Sequence, residues 1–407
     1  MTLRLGAFDA ERRWRPAGLA TLPSAPGAGA DPVSAAMDEL LAVTCEPGDV
    51  LVTGSDVPPS WVDALAGAGV EFEHRVAPEG GSTVEERLLA DPPAELRGRA
   101  FAPYAVDSGT AGLVRALDLR PVPPDLGVVR AVSSKSWSNA LVGELGLAGA
   151  GVVVSSVPEL VREVAALDGA PVLVKDPFGV AGRGTLPIAS PRVLRSVSRV
   201  LAKQVERGAR VEVLVQPRFD QVADFSAQFS VRAGGRVDWH GTRLIDNSGF
   251  SYTGSRPLSP GLAARLAALG YRAVMTEVGG ALADAGYHGP VCVDSMLLRD
   301  GTLVPVLEVN PRMSMGLICV LAERGLGRPV RLAVRPAGVR DGFESVARGL
   351  GEAGVLLRRG GTGVLPLAAG TLGTARGRLY CAVVARDEAE DRALDAALDS
   401  VVARRAA

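Results

Sequence analysis

Lys175 closes the apolar run Pro171-Val-Leu-Val, and the segment after it, GVAGRGT over 179–185, holds three glycines in six residues. Glycine lets backbone approach a ligand closely, and successive free N–H groups form a nest for an anion. A lysine leading into such a loop adds a compact positive charge, and the pair suits a polyphosphate. The spacing is neither the Walker loop nor G-x-G-x-x-G, so the two commonest nucleotide-binding loops are excluded. A second group is Asp294, Glu308 and Asn310 in VCVDSMLLRDGTLVPVLEVNPRMS. Glu308 and Asn310 are two apart on a strand, share a face and offer hard oxygen ligands, which beside a polyphosphate means Mg²⁺. Their flanks, Val304, Val306, Leu307 and Val309, are apolar, so the acid and the amide need partners there. A shared metal requires Asp294 on the same face as Glu308. The two runs around Asp300-Gly301 are therefore expected in an odd register, set by a three-residue loop or a one-residue bulge.

These residues need a scaffold, and the chain supplies alternating elements. Strand 49–53, the helical WVDALAGAG, a strand at 70–72, a strand from Ala100 and a helix from Gly109 read as a layered α/β domain with a mostly parallel sheet. The proline-rich stretch 120–125 ends it. Ser133-Ser134 then offers an N-cap to a helix carrying Lys135, and two helix-then-strand units follow before Gln216. Beyond lie two hairpins, 225–244 and 291–310, with one helix from Leu262 to Ala285 between them. Strands near Val355 and Arg378 and a charged terminal helix come last. The expected organisation is α/β, α+β in part, with domains at 1–125, 126–215, 216–330 and 331–407. No internal repeat or low-complexity segment is present.

Composition narrows the function. The chain has 407 residues, 47% hydrophobic and 22% charged, with 44 basic and 45 acidic side chains for a net charge of −1. No basic run with interleaved aromatic residues occurs, so nucleic acid is not an expected partner. No apolar stretch approaches the roughly 18 residues of a membrane span, and the N-terminus lacks an apolar leader core. Cys45, Cys292, Cys319 and Cys381 lie far apart with no C-x-x-C, which reads as a reduced, cytoplasmic protein. Only three lysines occur, Lys135, Lys175 and Lys203. Lys203, in a helix among Arg and Gln, reads as a solvated surface residue.

VLVKDPFGVAGRGT, VEVLVQPRF and VDSMLLRDGTLVPVLEVNPRMSMG, in this order across residues 129–321, resemble the ATP-grasp superfamily of carboxylate ligases. The domain order and the segment NSGFSYTGS also resemble the pheganomycin-type peptide ligases, in which a pre-ATP-grasp α/β domain comes first. The resemblance implies an ATP-grasp fold with a small central lid subdomain and a β-rich C-terminal subdomain. It implies ATP and Mg²⁺. Lys135 and Lys175 would be the two nucleotide lysines, and Gly179, Gly182, Arg183, Gly184 and Thr185 the lid over the phosphates. Val215 would be the adenine hinge, with Gln216 where relatives often carry Glu. Asp224 would meet the ribose, with Asp220 as its competitor. Asp294, Glu308 and Asn310 match the magnesium ligands. Arg312 would stabilise the transferring phosphate or the oxyanion beside Lys175, Arg243 would meet phosphate or the substrate carboxylate, and Asn247, Ser251, Tyr252 and Ser255 would line the substrate site.

The implied reaction joins a small-molecule carboxylate to an amine or peptide through an acyl phosphate, a chemistry of positioning and electrostatics that needs no Ser or Cys nucleophile. Two alternatives remain at this level. The acyl group could pass to a carrier-protein thiol, a reading that a basic docking patch would favour and that a net charge of −1 leaves open. Otherwise the chain is a non-catalytic nucleotide-binding module, against which the joint presence of Lys175, Asp294, Glu308, Asn310 and Arg312 speaks. The sequence sets no oligomeric state.

Overall fold

The computed structural model describes residues 1–23, 32–167, 169–179, 184–249, 251–337, 342–373 and 377–406. The N-terminal sheet is parallel, with strands β1 (Thr2–Leu5), β2 (Val50–Thr53), β3 (Glu73–Val76) and β4 (Ala100–Pro103) in the order β3-β2-β1-β4. Both faces are covered, as parallel sheets require. Leu3, Leu5, Val50, Val52 and Phe101 pack on one side with Leu88 and Leu113, while Leu51 joins Trp61 and Leu65 on the other. The strand expected at 70–72 falls instead at β3. Gly69, at φ +95°, caps the helix Pro59–Ala68 and turns the chain, so Val70 is spent on the core and pairing begins at Glu73. As an edge strand β3 has no need of an apolar run.

A small antiparallel sheet follows, built from β5 (Val152–Val154), β6 (Val172–Lys175), β7 (Thr185–Ile188) and β8 (Val213–Pro217) in the order β5-β8-β6-β7. The helices Val157–Ala166 and Pro191–Val205 cover it through Leu160, Val197 and Leu201. β8 crosses the boundary expected at 215/216, so Gln216 belongs to this sheet.

The third sheet has eight strands in the order β13-β12-β9-β10-β11-β14-β16-β15. These are β9 (Gln221–Val231), β10 (Val237–Ser248), β11 (Ser251–Pro257), β12 (Gly289–Leu298), β13 (Leu303–Asn310), β14 (Arg331–Pro336), β15 (Gly363–Pro366) and β16 (Arg378–Val384). Both expected hairpins form, as β9–β10 and β12–β13. The single helix expected over 262–285 is two, Pro260–Ala268 and Tyr271–Asp284, divided at Gly270 with φ +70°. Near Val355 there is an isolated bridge, Leu356 to Val364, and the strand itself is β15. Residues 331–407 supply β14, β15 and β16, so they continue the eight-stranded sheet rather than appending to it. Arg331 and Arg335 on β14 ion-pair with Asp391, Asp395 and Asp399 along the helix Glu388–Ala406, fastening that helix to the sheet. Among the described residues no helix is long and apolar enough to cross a membrane.

Candidate active site

Ser134 caps the helix Lys135–Glu144 by accepting from the Trp137 N–H at 3.1 Å, which makes Lys135 its first residue. A cation there opposes the helix dipole, and the opposition is met by direct partners. Lys135 Nζ, 5% exposed, donates to the Gly179 carbonyl and to Glu308 Oε1, each at 2.7 Å. The same helix is tied to β13 where the Val309 N–H donates to Ser138 Oγ at 3.1 Å. Lys175, the last residue of β6, donates from Nζ to Gln216 Oε1 at 2.6 Å. Burial, and then the neighbouring Lys135 charge, push the Lys175 ammonium down to about 8. Gln216 spends its amide N–H on the Gly149 carbonyl, so this side chain is committed to positioning Lys175.

The glycine loop closes on itself at its base. A Cβ on Gly179 would come within 2.5 Å of the Gly184 Cα, and one on Gly184 would run into the Gly179 Cα in turn, a clash that any larger residue would make. Thr185 lies beside Lys175 in the β6–β7 register. Gly182 and Arg183 lie outside the described residues. Asp176, 5% exposed, holds the loop's entry: it accepts from the Phe178 N–H at 2.9 Å, and its own N–H donates to the Gly184 carbonyl at 2.7 Å. Arg15 reaches the Asp176 carboxylate from the N-terminal domain at 2.6 Å and also donates to the Leu19 carbonyl.

Asp294 lies directly opposite Glu308, and the β12–β13 register shifts between Asp294 and Met296. This is the odd register anticipated from the sequence, and it places both carboxylates on one face. Burial, then the Glu308 charge, push Asp294 up to about 7. Asn310 Nδ2 donates to Asp294 Oδ2 at 3.2 Å. The donor set is oxygen only. Lys135 is spent on Glu308, and the bonds described for Asp294 come from the neutral Asn310 amide and the Cys292 thiol, so the pair of acids has room for more positive charge. Among the described residues no group of three or more His, Cys, Asp or Glu converges on a point. A cation here would take two carboxylates and the Asn310 amide, a set that fits Mg²⁺ completed by phosphate oxygens and water.

Arg312 follows on the same segment. It meets Glu11 of the helix Ala10–Trp14 at 2.5 Å, donates to the Tyr104 hydroxyl at 3.1 Å, stands 5.5 Å from that ring's centre, and donates to Asn310 Oδ1 at 3.2 Å. Burial alone would lower its pKa, but Glu11 and Tyr104 raise it and keep the guanidinium charged. Tyr104 follows β4, stacks on Phe8 with ring centres 3.7 Å apart, and accepts the Met313 N–H through its carbonyl at 2.9 Å. Nearby, Arg13 bridges Asp9 and Asp107. These groups lie past the carboxyl ends of β1 and β4, where the strand order reverses and a crevice forms in sheets of this type.

The remaining expectations separate. Asp224 and Asn247 line one shallow cleft of about 290 Å³ with Gln221, Asp246 and Arg256, and Asn247 donates to Asp224 at 3.2 Å. Burial raises the Asp224 carboxyl above its ordinary value. Asp220 is at the surface, paired with Arg299 at 2.8 Å. Arg243, expected at the substrate, is 2% exposed and bound to Glu323 at 2.5 Å and to the Val330 carbonyl, so it braces the sheet against the helix Met315–Leu326. Tyr252 packs on the main core, Ser255 is 1% exposed opposite Leu332, and Ser251 is exposed beside Ser248, none of them on the cleft. Val215 lies on the inner strand β8 between Val152 and Val174, and beyond it β8 keeps its β6 partner but has no β5 partner. Glu11, Arg15, Tyr104 and Asp176 were not anticipated. Asp176 carried a signal, an acid next to Lys175 at the mouth of a glycine loop. The other three carried none, since they arrive from distant chain.

No family model matches the chain. A curated protein, the [butirosin acyl-carrier protein]–L-glutamate ligase of Niallia circulans, is 25% identical over 201 residues, 47% of this chain and 46% of that protein. The chain thus matches about half the length of that relative. Among solved structures, N5-carboxyaminoimidazole synthetase of Staphylococcus aureus complexed with ADP has a TM-score of 0.55 at 11% identity, covering 98% of this chain and 96% of that one. The N5-carboxyaminoimidazole ribonucleotide synthetase of Thermus thermophilus has 0.55 at 14%, covering 100% and 99%. The biotin carboxylase domain of the Hydrogenobacter thermophilus 2-oxoglutarate carboxylase, in complex with MgADP, ADP and bicarbonate, has 0.54 at 14%, covering 94% and 85%. By its element order and by these likenesses, the chain has the ATP-grasp fold, preceded by an α/β domain.

Proposed function

We propose that the chain is an ATP-dependent, ADP-forming carboxylate-amine ligase of the cytoplasm, making amide bonds on amino acid or peptide substrates in secondary metabolism. The observation that carries this reading is the convergence of Lys135, Lys175, Asp294 and Glu308, from four different elements, around a lysine that bridges the glycine loop and an acid. ATP would supply the phosphoryl group that activates a carboxylate as its acyl phosphate, and Mg²⁺ would neutralise phosphate charge beside Asp294, Glu308 and Asn310. Lys135 and Lys175 would bring two ammonium groups to the polyphosphate. Gly179, Gly184 and Asp176 fix the base of the glycine loop, and Arg312 would hold a fixed positive charge for the transferring phosphate or the reacting carboxylate. Asp224 and Asn247 offer a ribose-sized polar cleft. Burial pushes the Cys292 thiol up to about 12, which suits a bystander and not a nucleophile.

A second acceptor, a carrier-protein thiol or carrier-bound amine, is favoured by the activity named for the Niallia circulans relative. The test is ATP-dependent phosphate release screened over amino acids, small peptides and carrier proteins, with mass spectrometry of the products. ADP with an amide product supports the ligase reading. AMP in its place, or turnover that survives Lys175→Ala and Glu308→Ala, overturns it.

A further inference from the structure

The helix Pro191–Val205 carries Arg192, Arg195, Arg199 and Lys203, three, four and four residues apart. At 3.6 residues per turn this spacing gathers the four cations into one stripe. Val197 and Leu201 form the opposite, buried side. All four cations are exposed, and the helix contains no acid. Among the described residues none of the four enters an ion pair. Some arginines elsewhere are matched, as Arg331 and Arg335 are by three aspartates on one helix face, while Arg115 and Arg265 are exposed and, among the described residues, enter no ion pair, so what sets this helix apart is the alignment of four cations on one face. The companion helix Val157–Ala166 mixes Glu159, Arg162 and Glu163. Arg192, in the first turn, also opposes the helix dipole with no acid to relieve it.

Position adds to charge. β7 ends at Ile188 opposite Val172, and β8 begins at Val213, next to Leu214, which lies opposite Lys175. The helix between them therefore returns from the Val172 end of the sheet to the Lys175 end, and Lys203 stands at the end that serves the phosphate site. The third of only three lysines thus joins the other two in one subdomain. No aromatic residue lies on the helix to stack a base, and the chain's net charge is −1, so the stripe fits an acidic protein surface better than a nucleic acid.

We propose that this stripe docks an acidic carrier protein that presents a substrate of the ligase on its arm. The inference rests on the proposed ligase reading and names its partner. Complementary charge on such a surface sets encounter and register, so it acts on binding and is screened by salt.

The test uses the full chain and a panel of three purified holo acyl-carrier proteins of graded negative charge, followed by fluorescence anisotropy at 50 and 300 mM NaCl. Affinity is expected to rise with carrier charge and to fall at least tenfold at the higher salt. The variant Arg195→Glu/Arg199→Glu/Lys203→Glu is expected to weaken binding at least tenfold and to raise KM for the carrier, with kcat and KM for ATP unchanged. Binding that ignores both salt and the reversal, no carrier binding by the wild type, or tighter binding of a DNA duplex than of any carrier overturns the proposal. ADP formation on free amino acids separates the two readings. If it persists when docking fails, only the docking surface is lost, and if it is absent on every substrate, the ligase reading falls with it.

Discussion

Asn310 links two groups of polar side chains, donating to Asp294 and accepting from Arg312, and the two are built differently. On one side Lys135, Lys175, Asp294 and Glu308 come from the central subdomain and the β12–β13 hairpin, each at the end or middle of a regular element. On the other, Glu11, Arg13, Tyr104 and Asp107 come from segments just past β1 and β4 of the N-terminal domain. In the first group Lys135 pairs with Glu308, while Lys175 is bonded to a neutral amide and Asp294 is held by another, an arrangement that suits the proposed polyphosphate and cation. The second is internally balanced, with Glu11 on Arg312 and Asp107 on Arg13. Chemistry is therefore expected to depend on the first group absolutely, and on the second through the placement of Arg312.

The sharpest way to break that division is to delete a member of the first group. Lys175→Ala and Glu308→Ala are each expected to lower kcat/KM roughly a thousandfold, about 4 kcal/mol, with the fold retained by circular dichroism. A loss under tenfold in either would move the chemistry elsewhere. Glu11→Gln tests the other side. It leaves a buried guanidinium without its charge partner, and kcat should fall about thirtyfold while KM for ATP stays within twofold. Glu11→Asp should recover part of the loss. A rise in KM for ATP in place of the kcat effect would place Arg312 on the nucleotide and not on the reacting carboxylate.

The same division explains what could be read from the chain. Lys175 with its glycine loop, and Asp294 with Glu308 and Asn310, sit at short, fixed offsets on elements whose periodicity sets their direction, so even the strand register was accessible. Glu11 meets Arg312 across 301 residues and Arg15 meets Asp176 across 161. No local pattern encodes such a meeting, because each partner is an ordinary surface-type residue until the two domains pack. Arg243 differs from its expectation for the opposite reason. The resemblance implied a substrate contact there, but its Glu323 partner, supplied by a helix eighty residues later, makes it a buried brace. The basic stripe escaped notice as a run because its spacing becomes a surface only on a helix.

A smaller effect is expected where the N-terminal domain touches the glycine loop. Asp176→Asn removes the charge that holds Arg15 while keeping a side-chain oxygen for the Phe178 N–H. KM for ATP should rise about tenfold, in line with the loss of one charge-assisted contact of about 1.5–3 kcal/mol partly offset by the remaining bond. Arg15→Ala should match it, and the double variant should add nothing further, since the two act as one unit. Additive losses would mean that Arg15 meets the nucleotide by itself.

The mildest test is pH. In the free protein the Lys175 ammonium titrates at about 8, below the ordinary lysine value, because it is buried beside Lys135. Polyphosphate binding needs the charged form, so nucleotide affinity is full below pH 7 and weakens as pH rises through 8. Titration of one group at that value gives a loss of about fourfold between pH 7 and pH 8.5, measured with ADP at saturating Mg²⁺ by calorimetry. The carboxylates do not mimic this limb. Asp294, at about 7, is more fully charged at the higher pH, and would strengthen any bound cation there. Lys175→Arg keeps a positive charge across the whole range, so its affinity, whatever its absolute value, should not fall from pH 7 to 8.5. A flat wild-type profile, or an arginine variant that falls just as steeply, would assign the limb to another group and remove Lys175 from the phosphate side of the comparison.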